Sequence, residues 1–161
     1  MLMYSVENKK DCRMIENLKD AFDALHELNY KCELDGEILR CNITEKGQVT
    51  ININEMNRMN FVYFVSSLGK ISWGMDEILP MLLDYNTRIS PFAFGIITAV
   101  DDASFEVLDT ATIPVVLIDS IPLGDLSVEE LVKELDALKT ALVHCAPVIR
   151  EIVNSNVGIN L

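Results

Sequence analysis

Two histidines and four cysteines are the residues of this chain best suited to nucleophilic or proton-transfer chemistry. His144 and Cys145 adjoin, and a thiol served by an imidazole could act as a nucleophile. Both fall in a stretch whose apolar repeat predicts a helix, where neighbours at i and i+1 point about 100° apart. Cys145 also lies on the apolar repeat itself, so it reads as a buried structural thiol. His26 follows Leu25 at the edge of another helical stripe. Asp101-Asp102 could bind a cation, but an isolated Asp-Asp in a turn reads as a solvated loop. Cys12, Cys32, Cys41 and Cys145 form no C-x-x-C pair, so no zinc motif is present. No glycine spacing matches G-x-G-x-x-G or a P-loop. Trp73, Tyr85 and Phe94 could line a small-ligand pocket, with core or interface packing as the competing use of Trp73 and Tyr85. No constellation supports catalysis, and the reading is a non-enzyme without metal or cofactor.

Charge narrows the partners. Thirteen Lys and Arg face 25 Asp and Glu, a formal net charge of −12. Nucleic-acid affinity rests on Lys and Arg displacing counterions, and an acidic surface repels phosphate and anionic lipid alike. A basic or mixed protein surface is the compatible partner, with solubility as the competing use of the charge. No run of about 18 apolar residues predicts a membrane span. The opening residues, Met1 to Ser5, lack the basic and apolar regions of a signal peptide, so reduced thiols in the cytoplasm are expected.

The elements that would position these residues fit one domain over 1–161, with an ordered core at 11–154 and frayed ends at 1–10 and 155–161. The first helix is expected to begin at an Asp11 N-cap, carry Met14, Ile15, Leu18, Phe22, Leu25 and Leu28 on one stripe, and end at Asn29 as the left-handed C′ residue. A hairpin follows, with Asp35-Gly36 as its two-residue turn. In that register Leu34 faces Glu37, and Cys32 and Cys41 become diagonal neighbours about 7–8 Å apart, too far for an unstrained disulfide. Val49 to Asn54 alternates as a third strand. Phe61 to Val65, apolar on both faces, reads as a central fourth strand after a loop at Asn57 to Asn60. Pro80 is tolerated only in a first turn, which sets the second helix near Ile78. Strands are expected at Phe92 to Val100, Ser104 to Leu108 and Pro114 to Ser120.

Ser127-Val128-Glu129-Glu130 is a capping box opening the last helix, with Leu126 and Leu131 in the staple positions. Leu131, Leu135, Leu138, Leu142, Cys145, Ile149 and Ile152 then recur at fours and threes, and Pro147 should bend the helix. Val128, Val132, Val143, Val148 and Val153 widen the stripe beyond one sheet contact. This assigns Leu142, Cys145, Ile149 and Ile152 to a subunit interface. The expected order is α-β-β-β-β-α-β-β-β-α, an α+β fold with an antiparallel sheet and helices on one face.

That order, in a small acidic chain, resembles the type III secretion chaperone-like superfamily and within it the YbjN-like proteins. The residues that carry the resemblance are Ala24 to Tyr30, similar to an L-x-x-L-G-Y helix end, and Leu83 to Arg88, similar to L-N-x-x-N-R. Val116 to Leu123, followed by the capped helix, completes it. Asn29 stands where Gly is usual and Asp84 where Asn is common. Asn86 to Gly95 also resembles a sister group, the YjfI-like proteins, often encoded beside phage-shock-protein-A-like proteins. The resemblance implies a homodimeric, non-enzymatic, chaperone-like or regulatory protein that binds an unidentified protein partner. It implies no catalytic residues.

Overall fold

The computed structural model describes residues 13–45, 47–72, 78–96, 112–124 and 126–155. Its elements are α1 (Leu18–Glu27), β1 (Cys32–Asp35), β2 (Ile38–Asn42), β3 (Gln48–Met56), β4 (Met59–Ser72), α2 (Ile78–Asn86), β5 (Ala93–Ile96), β6 (Thr112–Pro122) and α3 (Val128–Ser155). The strands form one antiparallel sheet in the order β1-β2-β3-β4-β6-β5. This is the expected α+β architecture. The expected strand at Ser104 to Leu108, the Asp101-Asp102 turn and the Asp11 cap lie outside the described residues.

One face of the sheet is buried under the helices. Its alternate residues Leu39, Cys41, Val49, Ile51, Val62, Phe64, Val115 and Leu117 are all buried. They meet Ala21, Ala24 and Leu25 of α1 and the seam residues Leu131, Leu135, Leu138, Leu142, Cys145 and Ile149 of α3. β4 runs between β3 and β6, as its two-sided apolar character required. A register slip between Ser67 and Gly69 falls where Gly69 takes φ 146, a conformation that a side chain disfavours.

Two starting points differ from the sequence reading. α1 begins at Leu18, where the Asn17 carboxamide oxygen accepts from the Asp20 amide. Residues 13–15 are drawn off instead along the start of α3. The Ile15 amide donates to the Leu126 carbonyl at 2.7 Å, and the Val128 amide donates to the Arg13 carbonyl at 2.9 Å. The end of α1 is as expected. Asn29 sits at φ 65, its amide donates to His26, and the Tyr30 amide donates to Leu25, which is the Schellman pattern.

The hairpin is the second correction. Asp35 pairs with Ile38, Leu34 with Leu39 and Cys32 with Cys41, so the turn is Gly36-Glu37. Gly36 alone has positive φ, 58. A type II′ turn needs only its first central residue there, which relieves Asp35 of the left-handed conformation a type I′ turn would demand. This register sets Glu33 opposite Arg40. It also makes Cys32 and Cys41 direct partners, not diagonal ones.

The Asn57 to Asn60 loop is likewise tighter than expected. Asn57 and Arg58, at φ 54 and 63, form a two-residue turn joining β3 to β4, flanked by the paired Met56 and Met59. α3 continues through Pro147 to Ser155. Pro147 and Val143 are both on the exposed side, where water can take the carbonyl that the proline leaves unbonded.

Candidate functional site

A groove of about 830 Å³ lies at the end of the sheet where β4 begins and β6 ends. Met59 and Asn60 form one wall, Ile121 to Gly124 the floor, and Glu130, Lys133, Glu134 and Ala137 of α3 the other wall. Local sequence builds it. The Leu123 amide donates to the Asn60 carbonyl at 2.9 Å, closing the floor onto β4. The capping box then starts α3 directly: the Ser127 amide donates to Glu130 Oε2 at 2.8 Å and the Glu130 amide to Ser127 Oγ at 3.2 Å. Leu126 and Leu131 are buried beneath it, as the staple requires.

One lining residue, Glu134, has a perturbed carboxyl, and its neighbour Asp119 of β6 does not itself line the groove. Glu134 is half-buried, and burial first, then a hydrogen bond and repulsion from Asp119 of β6, push its carboxyl up to about 7. Its Oε1 is buried and meets no hydrogen-bond donor among the described residues. Two carboxylates in one apolar setting cannot both stay charged cheaply. Asp119 itself accepts from the Ser120 amide at 2.8 Å. Glu130 is lowered, chiefly by the Ser127 backbone hydrogen bond. Lys133 is raised by its bond to Glu129, 2.9 Å away. The arrangement is a largely apolar trough whose α3 wall carries Glu130, Lys133 and Glu134, the last with a raised carboxyl.

The residues singled out in the sequence fall elsewhere. Leu142, Cys145 and Ile149, assigned above to a subunit interface, are 8%, 2% and 3% exposed and belong to the chain's own core. The seam faces the sheet, so these three side chains are already occupied within one copy. The side chain of Ile152 lies outside the described residues, as does Trp73. Tyr85 and Phe94 do come together, with ring centroids 6.2 Å apart. Phe94 is buried, however, and its backbone is held by the Asn86 carboxamide, which accepts from the Phe94 amide at 2.6 Å. Tyr85 instead lines a cleft of about 280 Å³ with Arg88, Ile89, Ala141, His144 and Cys145, at the small end of ligand pockets. His144 is exposed, and burial raises the Cys145 thiol, which makes it a poor nucleophile. Among the described residues no three of His, Cys, Asp and Glu converge as metal ligands. No helix described is long and apolar enough to cross a membrane.

Sequence reasoning missed Glu134. The signal was present: it stands three residues after Leu131 and four before Leu138, so it is an acid on the apolar face of α3.

No family profile and no curated protein matches this chain. Among solved structures it is similar to the crystal structure of YbjN, a proposed transcription regulator from E. coli, at 14% identity and a TM-score of 0.47, covering 82% of this chain and 93% of that one.

Proposed function

We propose that this chain is a non-enzymatic protein-binding module, regulatory or chaperone-like, that takes into the β4–β6–α3 groove an apolar segment of a partner carrying a lysine or arginine. The observation that supports this most is Glu134, an acid with a raised carboxyl on the wall of a largely apolar groove. A cationic side chain placed against it takes the place of its proton and pairs with the carboxylate. Met56 and Met59, each about half exposed beside the groove, can re-pack around differing apolar residues. The net charge of −12 favours encounter with basic segments and disfavours nucleic acid.

In this reading the protein acts in the cytoplasm as a homodimer. Leu83 and Val143, 66% and 61% exposed, are the most exposed large apolar helix residues among those described and are offered to a second copy in place of the occupied seam. A peptide array of varied apolar and charged composition tests the groove. Bound peptides should combine apolar residues with Lys or Arg, and Glu134→Lys should weaken them at least about tenfold, the loss expected for a reversed close charge pair. Equal binding of acidic peptides, or unchanged binding by a folded Glu134→Lys protein, would sink the proposal. A small-ligand sensor is the alternative, resting on the Tyr85 cleft. It would gain if a compound stabilised the parent against heat and Tyr85→Ala abolished that shift.

A further inference from the structure

The corrected hairpin register places two thiols face to face. Cys32 of β1 and Cys41 of β2 are direct cross-strand partners, with sulfurs 3.0 Å apart and a thiol hydrogen between them. Counting from the turn, Asp35 and Ile38 are the first hydrogen-bonded pair, and the pattern alternates. Cys32 and Cys41 therefore occupy a non-hydrogen-bonded position. The next pair outward agrees, since the Asn42 amide donates to the Lys31 carbonyl at 3.0 Å. At non-hydrogen-bonded positions the Cα atoms stand about 4.5 Å apart, inside the range of about 4.4–6.8 Å that a disulfide spans.

We propose that Cys32 and Cys41 are a reversible dithiol–disulfide site, closed by exchange with a low-molecular-weight disulfide and covalently locking β1 to β2. The two thiols are unequal in the way such a reaction needs. Cys32 is partly exposed on a strand at the end of the sheet, whereas Cys41 is fully buried. Their hydrogen bond holds the Cys32 thiol below the ordinary cysteine range against the opposing effect of burial, and it pushes Cys41 up. Cys32 is thus the attacking thiolate and Cys41 the resolving thiol. Tyr30, raised chiefly by burial and then by Asp136 and the two cysteines, is a titratable neighbour of the pair among the described residues. Neighbouring residues Tyr30, Lys31, Asn42 and Ile43 line a cleft of about 490 Å³ that neither cysteine lines, and the partly exposed Cys32 is the thiol a small disulfide can reach.

The chemistry balances in two displacements. The Cys32 thiolate attacks one sulfur of R–S–S–R, forming Cys32–S–S–R and releasing R–S⁻. Cys41 then gives its proton to the first R–S⁻ as its sulfur attacks Cys32 Sγ, and the second R–S⁻ leaves and takes from solvent the proton that Cys32 gave up on ionising. Two protein thiols are oxidised, one small disulfide is reduced to two thiols, and no other reactant is needed.

The test is equilibration of the native full-length chain with glutathione and glutathione disulfide, followed by acid quench, alkylation and tryptic mapping. Each of the four cysteines falls in a different tryptic peptide, so pairings are unambiguous. The expected product is about 2 Da lighter than the dithiol, for two lost hydrogens, and links Cys32–Arg40 to Cys41–Lys46. Dithiothreitol should reverse it. Cys41→Ser should stop at the first displacement and carry one glutathione on Cys32, while Cys32→Ser should carry none on Cys41. Full alkylation of Cys32 and Cys41 after exposure to glutathione disulfide overturns the proposal. So does a bridge from either residue to Cys12 or Cys145 in place of theirs, or glutathione on Cys41 in the Cys32→Ser chain.

Discussion

Glu134→Gln should leave stability near the parent's in acid and raise it at and above neutral pH. The parent carboxyl titrates from an ordinary value of 4.5 up to about 7 in the folded chain, chiefly through burial and then through Asp119. A raised folded value means that the folded state holds the proton more tightly than the unfolded one. Its contribution to stability is therefore complete below about 4.5, declines as pH rises, and is lost once pH passes about 7. The difference taken at face value is about 3 kcal/mol at about 1.4 kcal/mol per unit. Half of the group is open to solvent, and screening reduces this to about 1–2 kcal/mol. Glutamine does not titrate, and its amide can still donate to Asp119. Urea midpoints for parent and variant between about pH 5 and about pH 8 isolate the effect, because other titrating groups cancel in the difference. The variant's advantage should grow by about 1–2 kcal/mol across that window. A difference that stays flat, or grows toward acid, refutes the raised Glu134 carboxyl.

Three further outcomes are expected. Ser127→Ala should cost about 1 kcal/mol in denaturant unfolding by removing the hydroxyl that accepts from the Glu130 amide; coincident midpoints would mean that α3 does not depend on its cap. Arg58→Gly should stabilise by about 0.5–1 kcal/mol, since relief of the left-handed backbone at φ 63 exceeds the added entropy of the unfolded chain; destabilisation would mean that the arginine side chain contributes more than its backbone costs. Light scattering at micromolar concentration should give twice the chain mass for the parent and one chain mass for Leu83→Asp with Val143→Asp; a parent of one chain mass would remove the homodimer.

The long-range architecture was legible where one residue pattern served one purpose. The α3 seam repeats at fours and threes, and every described member is buried, because a helix on a sheet needs only one apolar face. Ser127 and Glu130 announce their helix start through bonds made within four residues. The errors arose where two local solutions compete. Residues 13–15 carry helical spacing, but their backbone is taken up by the start of α3, a partner more than a hundred residues away. Asp35-Gly36-Glu37 allows either of two turns one residue apart. The choice depends on strand pairing further out, and a one-residue shift changes every partner across the hairpin.

The interface assignment failed for a related reason. Spacing tells which residues share a helix face, and it does not tell what covers that face. Leu142, Cys145 and Ile149 lie under their own sheet, and of the valines that widened the stripe, Val128 is buried in the same core while Val143 is left outside. Apolar width therefore overstated the area offered to another chain. The acid on that face was the better guide. A glutamate between Leu131 and Leu138 is unfavourable in a core unless something neutralises it. Here burial, and after it the carboxyl that β6 brings in Asp119, raise the Glu134 acid. An apolar seam interrupted by one acid thus marks where the helix stops packing only on its own sheet and begins to line a groove. Asp119, fifteen positions earlier and on a strand, becomes its partner only after β6 and α3 have folded together.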